Sequence, residues 1–429
     1  MTADRIFTGD DASVITQGAV AISDGQIAWA GKLADLPVIH AGLPRTEYGD
    51  ATILPGLVET HAHLDAYSRA AQPDVPDPER HSPGWETLSS VKIARQLASL
   101  GVTTVQSLGA RDYTDVALRE AVNLGLVDGP RIVAAGPPIT FTGGHDWVDG
   151  SEIDSIADIL HHVREHHKAG TDAIKVMATG GFMSHSTAPW NAQFSTDQLR
   201  ALIGDAHRLG KHVAAHAHGS EGIRRAVDAG IDYIAHATFI DPDGQTRFDP
   251  ELADEIAERG IFVDGCAPPS FPPVAGETTT PRAYELYQHG VRIVAGHDIG
   301  AVYPASAYSF GLKQLEASGL PRAEVLIAAT SRGAAAVGLA GVTGVVGAGY
   351  AADLVVVEGD PLASLDALDQ IKEVIIFGRS FSREHVPPFD PGVRLAAGTQ
   401  TRQSPQDARQ EWIRRKERAK AHPLPRITA

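Results

Sequence analysis

Between residues 57 and 295, short runs of β-branched and apolar residues alternate with longer segments of helical periodicity. This alternation most constrains the fold, because strand, helix and strand in succession build a parallel sheet. The run 57–65 opens the series, and helices are predicted at 88–100, 154–169, 196–209, 220–229 and 250–259. The remaining predicted strands are 103–108, 131–135, 173–177, 212–217, 233–237, 261–265 and 292–295. Eight strands alternating with helices predict an α/β fold, the parallel (β/α)8 TIM barrel.

Towards both ends of the chain the pattern changes to strands without intervening helices. Residues 5–48 contain short alternating runs with turn residues, and 353–358 and 371–376 are separated by Gly359-Asp360-Pro361. We therefore predict one small, discontinuous β-sandwich domain from residues 1–52 and 341–390, and a barrel from residues 53–340. Residues 391–429 read as a polar tail. Its basic stretch, 414–420, is interpreted as a solvated tail or surface helix, with a docking arm onto a neighbouring subunit as the alternative.

Composition narrows the partners and the location. The hydrophobic fraction of 43% and the charged fraction of 21% are typical of a soluble globular protein. A formal net charge of −16 argues against nucleic acid or an anionic membrane as partner, and the substrate that we expect is a small molecule or a peptide. The single cysteine, Cys266, excludes an internal disulfide framework. With no signal peptide or bilayer-spanning run, we expect a cytoplasmic protein, and a homo-oligomer is compatible with the sequence.

Polar side chains follow the predicted strands at the points where functional residues of such barrels lie. Two strand residues that have one residue between them point to the same face, and two neutral imidazoles on one face can share a metal ion. Each of these residues alone has an ordinary structural explanation. Together, five strand ends predict a metal site, and its members are His61, His63, Lys175, His216, His236 and Asp298.

These motifs resemble the amidohydrolase superfamily. The resemblance rests on the H-x-H after an L-P-G strand, the lysine of I-K-V-M-A-T-G-G, and the H-A-H-G, A-H-A and G-H-D-I-G segments. Within the superfamily, the chain is most similar to the imidazolonepropionase-related, prolidase-like branch, over roughly residues 5–390. The resemblance implies two divalent metal ions, most often zinc. His61, His63 and Asp298 would hold the buried ion, His216 and His236 the more exposed one, and Lys175 would bridge both as a carbamate formed with carbon dioxide.

The resemblance also implies a mechanism for cleaving amide bonds. A hydroxide bridging the two metals would attack the carbonyl, since metal binding lowers the pKa of water to about 7. Asp298 would act as general base and then as general acid. His145, in T-G-G-H after the third strand, would contact the substrate and stabilise its oxyanion. His218 would be a further substrate contact, at a position where many relatives carry tyrosine.

The loop after the fourth strand departs from the pattern of these relatives. It reads His185-Ser186-Thr187-Ala188-Pro189-Trp190, which makes His185 and Trp190 candidate specificity residues. The proline-rich segments 72–85 and 267–273 are candidate walls of the site. Such a rim suits an apolar or peptide-like ligand.

Several functions remain open at this point. The leading prediction is a binuclear hydrolase of peptides or N-acyl amino acids. One alternative is an enzyme that tailors a natural-product peptide or degrades an aryl amide or xenobiotic. Another is a mononuclear cyclic-amide hydrolase or deaminase, against which Lys175 argues. A barrel that binds a ligand without turnover is the alternative outside the enzymes, and the intact set of metal-ligating residues argues against it.

Overall fold

The structure, a computed structural model, describes residues 1–65, 83–182, 184, 186–265, 282–301 and 303–390. The predicted walls at 72–82 and 267–273, Cys266 and the tail 391–429 lie outside these residues. The strands in the described part are β1 (Thr2–Phe7), β2 (Val14–Ser23), β3 (Gln26–Lys32), β4 (Ala51–Pro55), β5 (Leu57–Ala62), β6 (Val102–Ser107), β7 (Arg131–Ala134), β8 (Ile139–Thr140), β9 (Ser151–Glu152), β10 (Ala173–Met177), β11 (His212–Gly219), β12 (Tyr233–Ile240), β13 (Phe262–Asp264), β14 (Arg292–Val294), β15 (Leu354–Glu358), β16 (Ile371–Ile376) and β17 (Arg379–Ser380).

All five predicted helices are matched by helices in the structure, and the described residues contain five more that were not predicted. The α-helices of the described residues are α1 (Pro83–Ser99), α2 (Thr114–Asn123), α3 (Ile156–Ala169), α4 (Thr196–Arg208), α5 (Ser220–Ala229), α6 (Pro250–Glu258), α7 (Arg282–Gln288), α8 (Ala307–Ala317), α9 (Arg322–Ala328) and α10 (Ser331–Ala336). Their boundaries have local causes. Ser195 caps the first turn of α4 with a reciprocal capping box, and Gly230 ends α5 with a left-handed φ of 87°.

The predicted barrel is built from two parallel sheets whose edges meet. One sheet has the order β5-β6-β7, and the other runs β14-β13-β12-β11-β10-β8-β9. The N–H of Thr60 donates to the carbonyl of Ala295 at 3.0 Å, which joins β5 to the end of β14. At the other seam, Asp172 N–H donates to the carbonyl of Ala134 at 2.7 Å. The eight predicted strands therefore lie in one ring, as the TIM-barrel prediction requires.

A separate seven-stranded sheet contains strands from both ends of the chain, in the order β17-β16-β15-β4-β1-β2-β3. Its central pair joins β4 to β15 in antiparallel register, with Leu54 opposite Val355. The two ends of the chain thus meet in one sheet. The second layer that a β-sandwich needs stays a prediction, and so do the domain boundaries.

Two local expectations differ from the structure. The loop predicted at 72–85 is helical in its last three residues, because α1 begins at Pro83, a residue well suited to a first helical turn. The first strand ends at Ala62, so His63 follows the strand instead of lying within it. Among the described residues, no helix combines the length and the apolarity needed to cross a lipid bilayer.

A buried ion pair ties the seven-stranded sheet to the barrel. Asp353 precedes β15 and has a side chain with no exposed surface, and its carboxylate accepts from Arg131 of β7 at 3.1 Å. The N–H of Phe377 donates to the same carboxylate at 2.8 Å, and the Arg131 guanidinium lies 4.6 Å from the Phe377 ring centroid. Removing one partner of such a pair leaves the other charge without compensation.

We expect Asp353→Ala to lower the free energy of unfolding by about 3 kcal/mol or more, as breaking a buried ion pair commonly does. The matched control is Glu358→Ala, which removes the exposed Lys372–Glu358 pair (3.3 Å) and should cost less than about 1 kcal/mol. Urea unfolding of both variants measures the difference. Equal losses in the two variants would contradict the role assigned to Asp353.

Candidate active site

The strand register explains why polar side chains gather at one end of the barrel. Neighbouring strands align Met177 with His216, His216 with Ala235, and Ala235 with Asp264. Lys175 lies on β10 two residues before Met177, opposite Ala214 of β11. Paired residues of adjacent strands share a face, and every second residue of a strand returns to it. His216, Asp264 and Lys175 therefore belong to the same inner face.

His61, His63 and Asp298 meet where β5 approaches the segment after β14. The Oδ1 atom of Asp298 lies 3.6 Å from Nε2 of His61 and 3.4 Å from Nε2 of His63. The two imidazole rings have centroids 5.5 Å apart. The sequence predicted this trio, and the structure brings its members together.

The backbone around Asp298 is specialised for this approach. The N–H of His63 donates to the carbonyl of Ile299 at 2.7 Å, which draws the two segments together. A Cβ atom on Gly300 would lie 2.0 Å from the carbonyl oxygen of His63, and its φ is 96°. Only glycine tolerates both conditions. Asp298 itself has a φ of 57°, a conformation that aspartate adopts more readily than most residues.

A second cluster of imidazoles lies beside the first. The ring centroids of His216, His218 and His236 are 4.4 to 4.6 Å apart in every pairing. His145, on the segment after β8, brings its ring centroid to 4.4 Å from that of His216. A Cβ atom on Gly181 would lie 2.3 Å from the His145 ring, so this approach depends on a glycine. All four predicted histidines thus converge.

The position of His236 depends on an unusual backbone conformation. In the β11–β12 register His236 pairs with Ala217, whose side chain points away from that of His216. A regular strand would therefore turn His236 away from the site. Instead, its φ is 73° and that of Ala237 is 43°, which brings the rings of His236 and His216 to 4.6 Å. A left-handed conformation at a non-glycine residue stores strain, as functional sites often do.

Burial lowers the pKa of both His216 and His236 well below the ordinary value, and the neighbouring imidazoles act in the same direction. Burial also lowers the pKa of His145 to about 3. Lys175 is only 1% exposed. Neutral imidazole is the form that binds metal ions.

The side chains that could hold a metal ion fall into two overlapping groups. In each group, one ligand atom per residue lies within 4.8 Å of the others. The first group is His61, His236 and Asp298, and the second is His216, His218 and His236. His236 belongs to both. The described part of the chain therefore offers imidazole and carboxylate groups that could hold a metal ion.

Asp264, at the end of β13, was not predicted as a site residue. Its carboxylate is fully buried and contacts His61 Nδ1 at 3.1 Å. The Tyr233 hydroxyl donates to the same carboxylate at 2.5 Å, and the N–H of His236 at 3.4 Å. The available signal was an aspartate ending the seventh strand, in the position that functional residues occupy on other strands.

Glu59 was also missed. It is fully buried, and its Oε1 atom accepts from the N–H of His61 at 2.8 Å and from the N–H of His297 at 2.9 Å. Its Oε2 atom lies 2.6 Å from His297 Nδ1. Glu59 precedes His61 by two residues, and this spacing was the signal that could have identified it. One carboxylate thereby fixes the backbone beside both His61 and Asp298.

The loop after β10 contains both specificity residues predicted from the sequence, and the structure describes one of them. Trp190 is 6% exposed and packs in a small apolar cluster with Phe182, Ala188 and Ile240. The ring centroid of Phe182 lies 4.9 Å from that of His218, so the cluster borders the imidazoles. The predicted substrate contact of Trp190 stays a prediction. His185 lies outside the described residues.

Comparison with known proteins assigns the chain to a family. The model of the amidohydrolase family matches residues 52–381. An ochratoxinase of Aspergillus niger is 25% identical over 409 residues, covering 85% of this chain and 82% of that protein. An imidazolonepropionase of Ralstonia nicotianae is 26% identical over 363 residues, covering 79% of this chain and 86% of that protein. A solved Xaa-Pro dipeptidase with bound methionine in its active site aligns with a TM-score of 0.77 at 27% identity, over 89% of this chain and 98% of that one. The chain belongs to the amidohydrolase family and is a hydrolase of C–N bonds.

Proposed function

We propose that the protein is a binuclear metal-dependent hydrolase of amide bonds in dipeptides or N-acyl amino acids. The observation that carries this proposal is the pair of overlapping ligand groups that share His236. A single ion would need only one such group. The two groups, together with the buried Lys175 on the same inner face as His216, support two ions over the mononuclear alternative.

The donor set fits divalent metal ions. His61, His63 and Asp298 would hold the inner ion, and His216 and His236 the more exposed one. Lys175 cannot ligate as an ammonium, but burial makes its charge costly, which favours loss of its proton and reaction with carbon dioxide. The resulting carbamate would add negatively charged oxygen ligands to the site. When bound, the ions would polarise a scissile carbonyl and lower the pKa of a water molecule.

Asp298 and His145 would supply the proton transfers and the oxyanion contact. Asp298 Oδ1 lies within 3.6 Å of Nε2 of both His61 and His63, beside the proposed inner ion. There it would accept a proton from the attacking water and return one to the leaving amine. The Ser184 hydroxyl accepts from the N–H of Asp146 at 2.9 Å and lies 3.2 Å from His145 Nδ1. If this hydroxyl donates to Nδ1, neutral His145 carries its proton on Nε2, where it would donate to a developing oxyanion.

The buried carboxylates would orient the ligands. Metal-ligating histidines usually donate their second ring nitrogen to a carboxylate or carbonyl, which fixes the tautomer. Asp264 fulfils this role for His61 Nδ1 and leaves Nε2 on the side of Asp298. Asp264 also accepts a hydrogen bond from the N–H of His236, the residue that both ligand groups share.

Three observations support the proposed substrate class. The net charge of −16 favours a small molecule or peptide over nucleic acid. The Phe182 cluster beside His218 supplies an apolar surface for a substrate side chain. The likeness to a Xaa-Pro dipeptidase supports peptides. The likeness to an ochratoxinase, a relative named for a substrate other than a peptide, keeps open the alternative of a natural-product or xenobiotic amide.

We expect the protein, reconstituted with zinc, manganese or cobalt, to hydrolyse members of a dipeptide and N-acyl amino acid library. Asp298→Asn should lower kcat by about 10²–10⁴-fold, since it removes the proposed general base. Asp228→Asn, an exposed change on α5, is the control and should leave kcat unchanged. Metal content is measured in parallel. Full activity of Asp298→Asn would overturn the proposed mechanism, and turnover of aryl amides alone would favour the alternative substrate class.

Asp264→Asn should weaken metal binding by about 10- to 100-fold, the usual effect of removing the partner of a ligating histidine. Competition with a chromophoric chelator measures the affinity. The matched control is Asp254→Asn, which removes an exposed Asp–His contact of 2.7 Å to His289 and should leave the affinity unchanged. Unaltered affinity in Asp264→Asn, with the fold intact by circular dichroism, would show that His61 needs no orienting carboxylate.

A further inference from the structure

His218 lies in a geometry that the six-residue ligand set does not explain. It follows His216 by two residues on β11, so both side chains emerge on the same face. Its ring stacks on that of His236 at a centroid distance of 4.4 Å and an interplanar angle of 23°. With His216 the centroid distance is 4.6 Å and the angle is 84°. The three rings form a nearly equilateral triangle, and one ligand nitrogen from each lies within 4.8 Å of the others.

The contacts of His216 and His218 follow the pattern of metal-ligating histidines. His218 Nδ1 lies 2.5 Å from the Thr238 hydroxyl, and His216 Nε2 lies 3.2 Å from the carbonyl oxygen of Gly180. A ring nitrogen that donates to a protein oxygen leaves the lone pair on the other nitrogen, the one a metal uses. The N–H of His218 also donates to Thr179 Oγ1 at 2.9 Å, which fixes the backbone of the residue.

His145 offers an internal comparison. It is as buried as His218, at 7% against 6%, and its ring centroid lies 4.4 Å from that of His216. It nevertheless belongs to neither ligand group. Burial and proximity to His216 alone therefore do not bring a ring nitrogen within 4.8 Å of those of both His216 and His236, as is found for His218.

We propose that His218 is a third imidazole ligand of the ion held by His216 and His236, so that this site is a three-histidine site. The inference rests on the proposed function, because it presumes that this position holds a metal ion. It replaces the role of substrate contact predicted for His218 from the sequence. A third neutral ligand would strengthen binding at this position without reducing the positive charge of the ion.

The decisive experiment compares metal affinity in His218→Ala and His145→Ala. Zinc affinity is measured for each class of site by equilibrium dialysis, and the visible spectrum of the cobalt-loaded protein reports the ligands directly. We expect His218→Ala to weaken one of two sites by at least about 10-fold and to change the cobalt spectrum. His145→Ala should bind both ions within about 3-fold of the wild type, since it removes an imidazole of equal burial from outside the group. Thr238→Val, a milder change, should weaken the same site as His218→Ala without removing a ligand.

The outcomes separate this inference from the proposed function. Two ions per wild-type chain, with unchanged affinity and cobalt spectrum in His218→Ala, would overturn the three-histidine site and leave the binuclear proposal intact. A rise in KM alone in that variant would return His218 to the role of substrate contact. Fewer than two ions per wild-type chain would overturn the binuclear proposal together with the ligand assigned here. If His218→Ala does not fold, unchanged affinity in Thr238→Val counts against the inference.

Discussion

Closure of the parallel ladder between the first and eighth barrel strands is the constraint on which the site depends. The hydrogen bond from Thr60 N–H to the carbonyl of Ala295 sets the two strands side by side. Residues more than two hundred positions apart in the chain, His61 and Asp298, then lie within reach of one ion. Because parallel strands all end at the same edge, the same closure collects the histidines of β11 and β12 there as well.

Burial at this edge imposes a second requirement, since polar groups removed from water need partners. The imidazoles meet it by remaining neutral, which burial itself favours by lowering the pKa of His216 and His236. The carboxylates meet it by accepting from several donors, as Asp264 does from the Tyr233 hydroxyl. Desolvation and hydrogen bonding thus favour the neutral, oriented imidazoles that a metal ion could bind.

The sequence predicted the barrel strands and the polar side chains that gather at their ends because both have local signals: alternating periodicity for the strands, and polar residues directly after them. The sequence could not predict the contacts that depend on the register between neighbouring strands. Asp264 becomes important only when β12 sets His236 and Tyr233 beside it, and no local pattern reports that pairing. The left-handed turn at His236 is likewise invisible in the residues Ala235-His236-Ala237, since no glycine marks it. Neither spacing nor composition revealed that His236 belongs to both ligand groups.

Anomalous diffraction from crystals of the zinc-loaded protein tests the account most directly, because it locates metal ions without reference to activity. The account predicts two peaks per chain, one among His61, His63 and Asp298 and the other among His216 and His236, with density for a carbamate on Lys175 between them. One peak per chain, or peaks away from these residues, would contradict it.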